Sequence, residues 1–175
     1  FPPKAWWGYD KRETQFKTAE YCIRMLIEVV SKGGNLLLNV GPTPEGKIRP
    51  EEVQVLEAMG DWLKINGEAI YGTTASPFKI LPFLGKATVK GNTLYLHVFN
   101  WPKDKKLVLP GVTNKALSAR LLADPGREME VQRTRADLVV SLPGKTPDPV
   151  AAVVAVELDD PPQVEPFTIR PQADG

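Results

Sequence analysis

Apolar residues along this chain follow two rhythms, and the change falls near Pro77. Before it the spacing is helical. Ile23, Leu26, Ile27 and Val30 recur at i, i+3, i+4 and i+7, which predicts a helix from about Phe16 to Ser31. Thr14 is the expected N-cap, and Gly33-Gly34 supply the stop. The next run, Asn35-Leu36-Leu37-Leu38-Asn39-Val40, is almost continuously apolar and predicts a strand buried on both faces, as in a parallel sheet. Gly41-Pro42-Thr43-Pro44-Glu45-Gly46 is dense in turn formers. A second helix is expected after it, with Pro50 at the first position, Glu51 and Glu52 in the first turn, and Gly67 past the end. Val53, Leu56, Gly60 and Leu63 mark its inner face, widened by Val55, Met59 and Trp62.

From Phe78 onward the rhythm is period two. Thr93 to Phe99 alternates cleanly, with Leu94, Leu96 and Val98 on one face and Tyr95, His97 and Phe99 on the other. Lys106 to Leu109, Leu117 to Leu122, Met129 to Arg133, Leu138 to Leu142 and Val150 to Leu158 are further candidate strands. Between them stand Trp101-Pro102, Pro110-Gly111, Asp124-Pro125-Gly126 and Pro143-Gly144. Short strands punctuated by such turns argue for an antiparallel β-sandwich. The proline-rich stretch from Asp159 predicts an irregular tail or linker.

Helix, buried strand and helix amount to part of a βα-repeat architecture. A lone strand has unpaired backbone groups on both edges, and each helix needs a sheet to cover. The expected fold class is therefore α/β plus all-β: the last helix–strand–helix of a larger α/β domain, followed by an antiparallel sandwich. Residues 1–75 form the α/β remnant, 76–160 the sandwich and 161–175 the irregular tail. The missing part is expected before Phe1, and a chain opening Phe1-Pro2-Pro3 rather than with Met fits a fragment or a processed piece.

Composition changes this picture little. Hydrophobic residues make up 42% and charged residues 25% of 175, as in a soluble globular protein. With 22 basic and 21 acidic side chains and no basic stripe, nucleic acid is not an expected partner. Lys103 to Lys106 contains Asp104 and reads as a solvated turn. No apolar stretch approaches the roughly 20 residues of a membrane helix, so no membrane partner is expected. Cys22, the single cysteine, lies in the apolar face of a helix and reads as a buried structural thiol. No Cys, His and carboxylate cluster has metal-ligand spacing, and no Lys-Ser/Thr follows the glycines as a phosphate loop requires.

Several long motifs resemble the α-L-fucosidases, glycoside hydrolase family 29. They are Trp7-Gly8-Tyr9, the run from Ser31 to Pro42, Trp62 to Thr73, Gly91 to Phe99 and Leu121 to Gly126. The resemblance reaches to about Leu158. It implies that residues up to about Thr74 close a (β/α)8-type catalytic barrel and that the remainder is the C-terminal β-sandwich beside it. A whole barrel needs roughly 250 residues, so most of it would be absent.

The resemblance also implies a chemistry: hydrolysis of α-linked L-fucose from glycans with retention, without metal or organic cofactor. Retention uses two carboxyl groups about 5–5.5 Å apart, one the nucleophile and one the acid/base. In the family the nucleophile is an Asp on an earlier barrel strand, and the acid/base, where assigned, is a Glu upstream of the Trp-Gly-Tyr motif. Neither position exists here, so the 175-residue chain alone is expected to be inactive, its partners being the missing N-terminal barrel portion and a fucosylated glycan. Asp10 and Glu13 precede a helix, where acids complement its N-terminus, and Glu45 sits in a turn; none is a catalytic candidate. The family's fucose pocket includes several histidines, whereas His97, the single one here, reads as structural or surface.

What remains is the pocket's edge. Trp7, with Trp6 and Tyr9 assisting, is the substrate-binding candidate, because an aromatic ring packs on the apolar face or methyl group of a 6-deoxy sugar. Packing of the loop onto the barrel explains the same cluster. Asn39, at the end of the expected strand, is placed to hold the following loop or orient a carboxylate, or to cap the turn. Secreted, periplasmic or lysosomal placement is implied by the resemblance. The alternative is a non-catalytic sandwich that binds carbohydrate or acts as a scaffold, with Trp101 and Tyr95 as a sugar platform.

Overall fold

A computed structural model describes residues 8–135 and 137–165. Two helices, α1 (Ala19–Val30) and α2 (Pro50–Asn66), precede eight strands: β1 (Gly85–Lys90), β2 (Thr93–Val98), β3 (Lys106–Pro110), β4 (Ala116–Leu121), β5 (Asp124–Glu128), β6 (Val131–Arg133), β7 (Asp137–Ser141) and β8 (Ala152–Leu158). A short 3-10 turn, Gly67–Ala69, ends α2. No helix among the described residues is long and apolar enough to cross a membrane.

Helix α1 starts later than its periodicity predicts. Thr18, not Thr14, is the N-cap, accepting from the Tyr21 amide at 3.1 Å. The reason is local: Asp10 and Glu13 accept from the amides of Arg12 and Gln15, at 2.9 and 2.8 Å, and hold residues 10–15 as polar turns. At the other end Gly33, with φ of 78°, and Gly34 return their N–H groups to the carbonyls of Val30 and Val29, the helix stop expected of the Gly-Gly pair.

Helix α2 has Pro50 at its start and Glu51 and Glu52 in its first turn, as predicted. Its buried stripe, however, is Glu52, Val55, Met59, Trp62 and Asn66. The expected inner residues Val53, Leu56 and Leu63 are half-buried flanks. Both stripes are apolar enough to serve. Trp62 decides between them, because its indole N–H reaches the Ala151 carbonyl at 3.0 Å on the neighbouring sheet.

The strands form an antiparallel sandwich: a five-stranded sheet ordered β1-β2-β8-β4-β5 against a three-stranded sheet ordered β3-β7-β6. Leu94, Leu96, Val98, Val154, Val156 and Leu158 face the inner core with Leu107, Leu109, Leu138 and Val140. The outer face of the five-stranded sheet is also covered. Tyr95, Val153 and Ala155 pack with Ile23, Ile27, Val55, Met59 and Trp62 of the helices. The molecule is thus layered helix, sheet, sheet. Two strands fall outside the candidates: β1, an edge strand, and β5, where Asp124-Pro125-Gly126 begins a fully exposed strand joined to β4 through a bulge.

The run from Asn35 to Val40 is not a strand in this chain. Residues 35–40 join neither sheet of the described residues, and Leu37 is 82% exposed. Leu38 and Val40 pack against the helical cluster, so one face is covered and the other is open. The two sheets of the described residues are built from β1–β8 alone, and the run lies outside both. After β8 the chain is tied down as far as residue 165, and the rest of the expected tail lies outside the described residues. Asn114 Nδ2 donates to the carbonyls of Asp160 and Pro161, and its Oδ1 accepts from the Gln163 amide at 2.6 Å.

Candidate functional site

Two segments distant in sequence meet at the end of the open run. Gly41 is buried, and a Cβ placed on it would lie 2.9 Å from the Tyr9 amide nitrogen and 3.0 Å from the Gly8 carbonyl carbon. Only a residue without a side chain allows this approach. It brings the backbone of Gly8 and Tyr9 against Gly41, two residues after Asn39. Tyr9 is 37% exposed and Asn39 is exposed. Trp6 and Trp7 lie outside the described residues.

A third element enters from the start of α2. Arg49 is its N-cap residue, yet makes no side-chain cap to the helix. Its guanidinium lies between two rings, 4.5 Å from the Phe16 centroid and 5.4 Å from that of Tyr9. One arm donates to the backbone carbonyls of Asp10 and Glu13, both at 3.4 Å; the other reaches Glu52 Oε1 at 3.4 Å. The side chains are 13% and 1% exposed, so the ion pair is buried. No spacing in the sequence singles out Arg49 or Glu52. The only signal was an arginine at a cap position, where small polar residues are preferred.

The carboxylates nearby are occupied structurally. Asp10 takes both guanidinium contacts of Arg12, at 3.0 and 2.9 Å, and Arg12's hydrogen bonds hold its carboxyl down at about 2. An acid so firmly ionised is no proton donor near neutral pH. Glu45 sits exposed in a turn closed by the Gly46 amide on the Thr43 carbonyl at 2.8 Å.

His97 is on the face expected of it, but that face is not surface. It is fully buried beneath α2, its ring centroid 6.4 Å from that of Trp62. Thr88 Oγ1 donates its one hydrogen to the Ala69 carbonyl at 2.7 Å, so His97 Nε2 carries the proton and donates to Thr88 at 3.1 Å. Nδ1 has no partner among the described residues. Burial pushes the imidazole down to about 3, which keeps it neutral. Cys22 is likewise buried, and desolvation raises its thiol above the ordinary range, which fits an inert side chain.

The sandwich shows no aromatic platform at the residues considered for one. Trp101 is half-buried, packs on the inner core and donates from its indole to the Pro143 carbonyl at 2.9 Å. Tyr95 is buried beneath the helices. Both anchor structure.

Similarity to known proteins points to one family. Residues 3–68 match the family model for alpha-L-fucosidase. Tissue alpha-L-fucosidase of Mus musculus is 36% identical over 157 residues, which are 82% of this chain and 33% of that protein. An alpha-L-fucosidase of Branchiostoma floridae is 36% identical over 109 residues, 59% of this chain and 24% of its own length. The chain therefore spans about a third or less of these relatives. Among solved structures, alpha-L-fucosidase isoenzyme 1 from Paenibacillus thiaminolyticus superposes with a TM-score of 0.80 at 35% identity, over 88% of this chain and 38% of that one. A Bacteroides thetaiotaomicron alpha-L-fucosidase trapped as a covalent intermediate gives 0.77 at 32% identity, over 87% of this chain and 35% of that one.

Proposed function

We propose that this chain, which carries the sequence and fold of the α-L-fucosidases over part of their length, is the C-terminal part of a retaining α-L-fucosidase. Residues 1–75 close the catalytic barrel, with 35–40 as a barrel strand whose neighbours lie elsewhere in the enzyme. Residues 76–160 are the sandwich that buttresses it, and 161–175 form the tail. Trp7, Trp6 and Tyr9 border the fucose pocket. Asn39 holds the loop beneath them. The nucleophile and the acid/base come from outside this chain, and the substrate is a fucosylated glycan.

The observation that carries this reading is the close approach of Gly41 to Gly8 and Tyr9. It sets Gly8 and Tyr9 beside the end of an apolar run that has one face open and joins neither sheet of the described residues. In barrel enzymes that end of a strand is where functional groups sit. Release of an aryl group from an aryl α-L-fucoside tests the proposal. The 175-residue chain alone should give no turnover, and refolding it together with the preceding barrel portion should restore turnover. Clear hydrolysis by the pure chain would sink the reading.

A further inference from the structure

We propose that Arg49 is a positioning residue that locks the segment from Tyr9 to Phe16 against the start of α2 and so sets where the Tyr9 ring stands. Its bearing on the sugar pocket rests on the reading of Tyr9 as pocket rim.

The argument begins with what Arg49 does not do. A cation at a helix N-terminus opposes the helix dipole, and a residue at the cap position is expected to return a side-chain oxygen to the first amides. Arg49 does neither job for α2. It is also mostly buried, where a charge is costly unless paired. What offsets that cost is the loop. Phe16 and Tyr9 supply two ring faces, Asp10 and Glu13 supply two carbonyls, and Glu52 supplies the counter-charge. Each contact falls on a different residue of the 9–16 segment or on the helix that anchors it. A planar, forked cation can meet all of them at once; an ammonium cannot.

The segment itself offers little else to hold it. Lys11, Arg12, Thr14 and Gln15 are exposed, and the Asp10–Arg12 and Glu13–Gln15 bonds are internal to the loop. Among the described residues, the ties to the body run through Arg49 and through the close approach at Gly41. Gly41 fixes the backbone at residues 8 and 9, whereas Arg49 fixes the ring that leaves it. Both are needed to aim Tyr9.

Amide hydrogen exchange on the 175-residue chain tests the lock. Arg49→Met alone would remove a cation from beside the buried Glu52 carboxylate, so it is combined with Glu52→Gln, and Arg49→Lys is measured beside it. Amides of 9–16 should exchange roughly tenfold faster in the double variant, with Arg49→Lys between it and the parent. Amides of α1 and β8 should not change. Unchanged exchange in 9–16 overturns the proposal, as does equal acceleration everywhere. In the full-length protein that carries this chain, Arg49→Lys should raise KM for an aryl α-L-fucoside and leave kcat within about twofold. Faster loop exchange with an unmoved KM would leave the lock standing and overturn the rim reading instead.

Discussion

Two apolar runs of similar length meet opposite fates in this molecule. Ala152 to Leu158 becomes β8, hydrogen-bonded to β2 along one edge and β4 along the other. Val154 and Val156 point into the sandwich, and Val153 and Ala155 point at the helices; all four are buried. Asn35 to Val40, apolar at four of six positions against six of seven in β8, has none of the same neighbours. Its covered face carries Leu38 and Val40, while Leu37 stands in solvent. Hydrophobic density states that a segment is made to be buried on two faces. It does not state that the burying elements belong to the same stretch of chain. Within the described residues β8 has strands on both edges and packing on both faces, whereas residues 35–40 have the helices on one face.

The largest effect is therefore expected in β8. Val154→Asp places a carboxylate at the centre of the inner core with no partner, a cost on the order of 4 kcal/mol or more, against a total stability of roughly 5–15 kcal/mol. Urea titration followed by circular dichroism should show the midpoint fall by roughly 1–4 M. A midpoint close to that of the parent would mean that β8 is not the central strand described here.

A smaller effect should appear where the helices cover the outer face of the same sheet. His97, paired to Thr88, is held at about 3 against an ordinary value of 6.5, so between those limits the unfolded chain binds the proton and the folded one does not. Its contribution is fully present above pH 6.5 and is lost as pH falls toward 3. From pH 7 to pH 5 the loss is about 2 kcal/mol. Glu28, whose carboxyl is lowered by Lys32 and Lys86, loses its contribution below its ordinary range of 4.5, outside that window. His97→Gln keeps a donor for Thr88 and removes the titration. Urea midpoints at pH 7 and pH 5 should thus converge in the variant and differ in the parent. Equal slopes in both would remove His97 as the cause.

How much of this was legible in the sequence depends on the range of the contacts involved. Pro50, the acidic first turn and the Gly33-Gly34 stop are local signals and were readable, as was the period-two alternation of β2. The buried stripe of α2 was not, because its choice is made by Trp62 reaching Ala151, a residue 89 positions away. The start of α1 was misplaced because two threonines compete as caps, and Asp10 fixes the winner from outside the helix. At the candidate site, Tyr9 and Asn39 were visible through motif resemblance. Arg49 was not, since its partners Tyr9 and Phe16 lie 40 and 33 residues earlier, with no spacing rule to connect them. Local chemistry is written in neighbouring letters; a clamp between distant loops is not.

The smallest effect on the chain itself is the most informative about the two runs. Leu37→Ser removes an exposed side chain, and surface substitutions usually move stability by no more than about 0.5 kcal/mol. Val153→Ser, on the helix-facing side of β8, removes a buried one and should cost about 1–3 kcal/mol through lost burial and an unsatisfied hydroxyl. Paired urea titrations separate these directly. The assembled enzyme should reverse the order of interest. If residues 35–40 are a barrel strand, a serine hydroxyl at position 37 faces an apolar layer once the barrel portion is present. Leu37→Ser should then weaken recovery of aryl α-L-fucoside hydrolysis in the refolding mixture, although the isolated chain barely registers it. An effect on the isolated chain as large as that of Val153→Ser would mean that this chain buries the run by itself, and the contrast with β8 would fall.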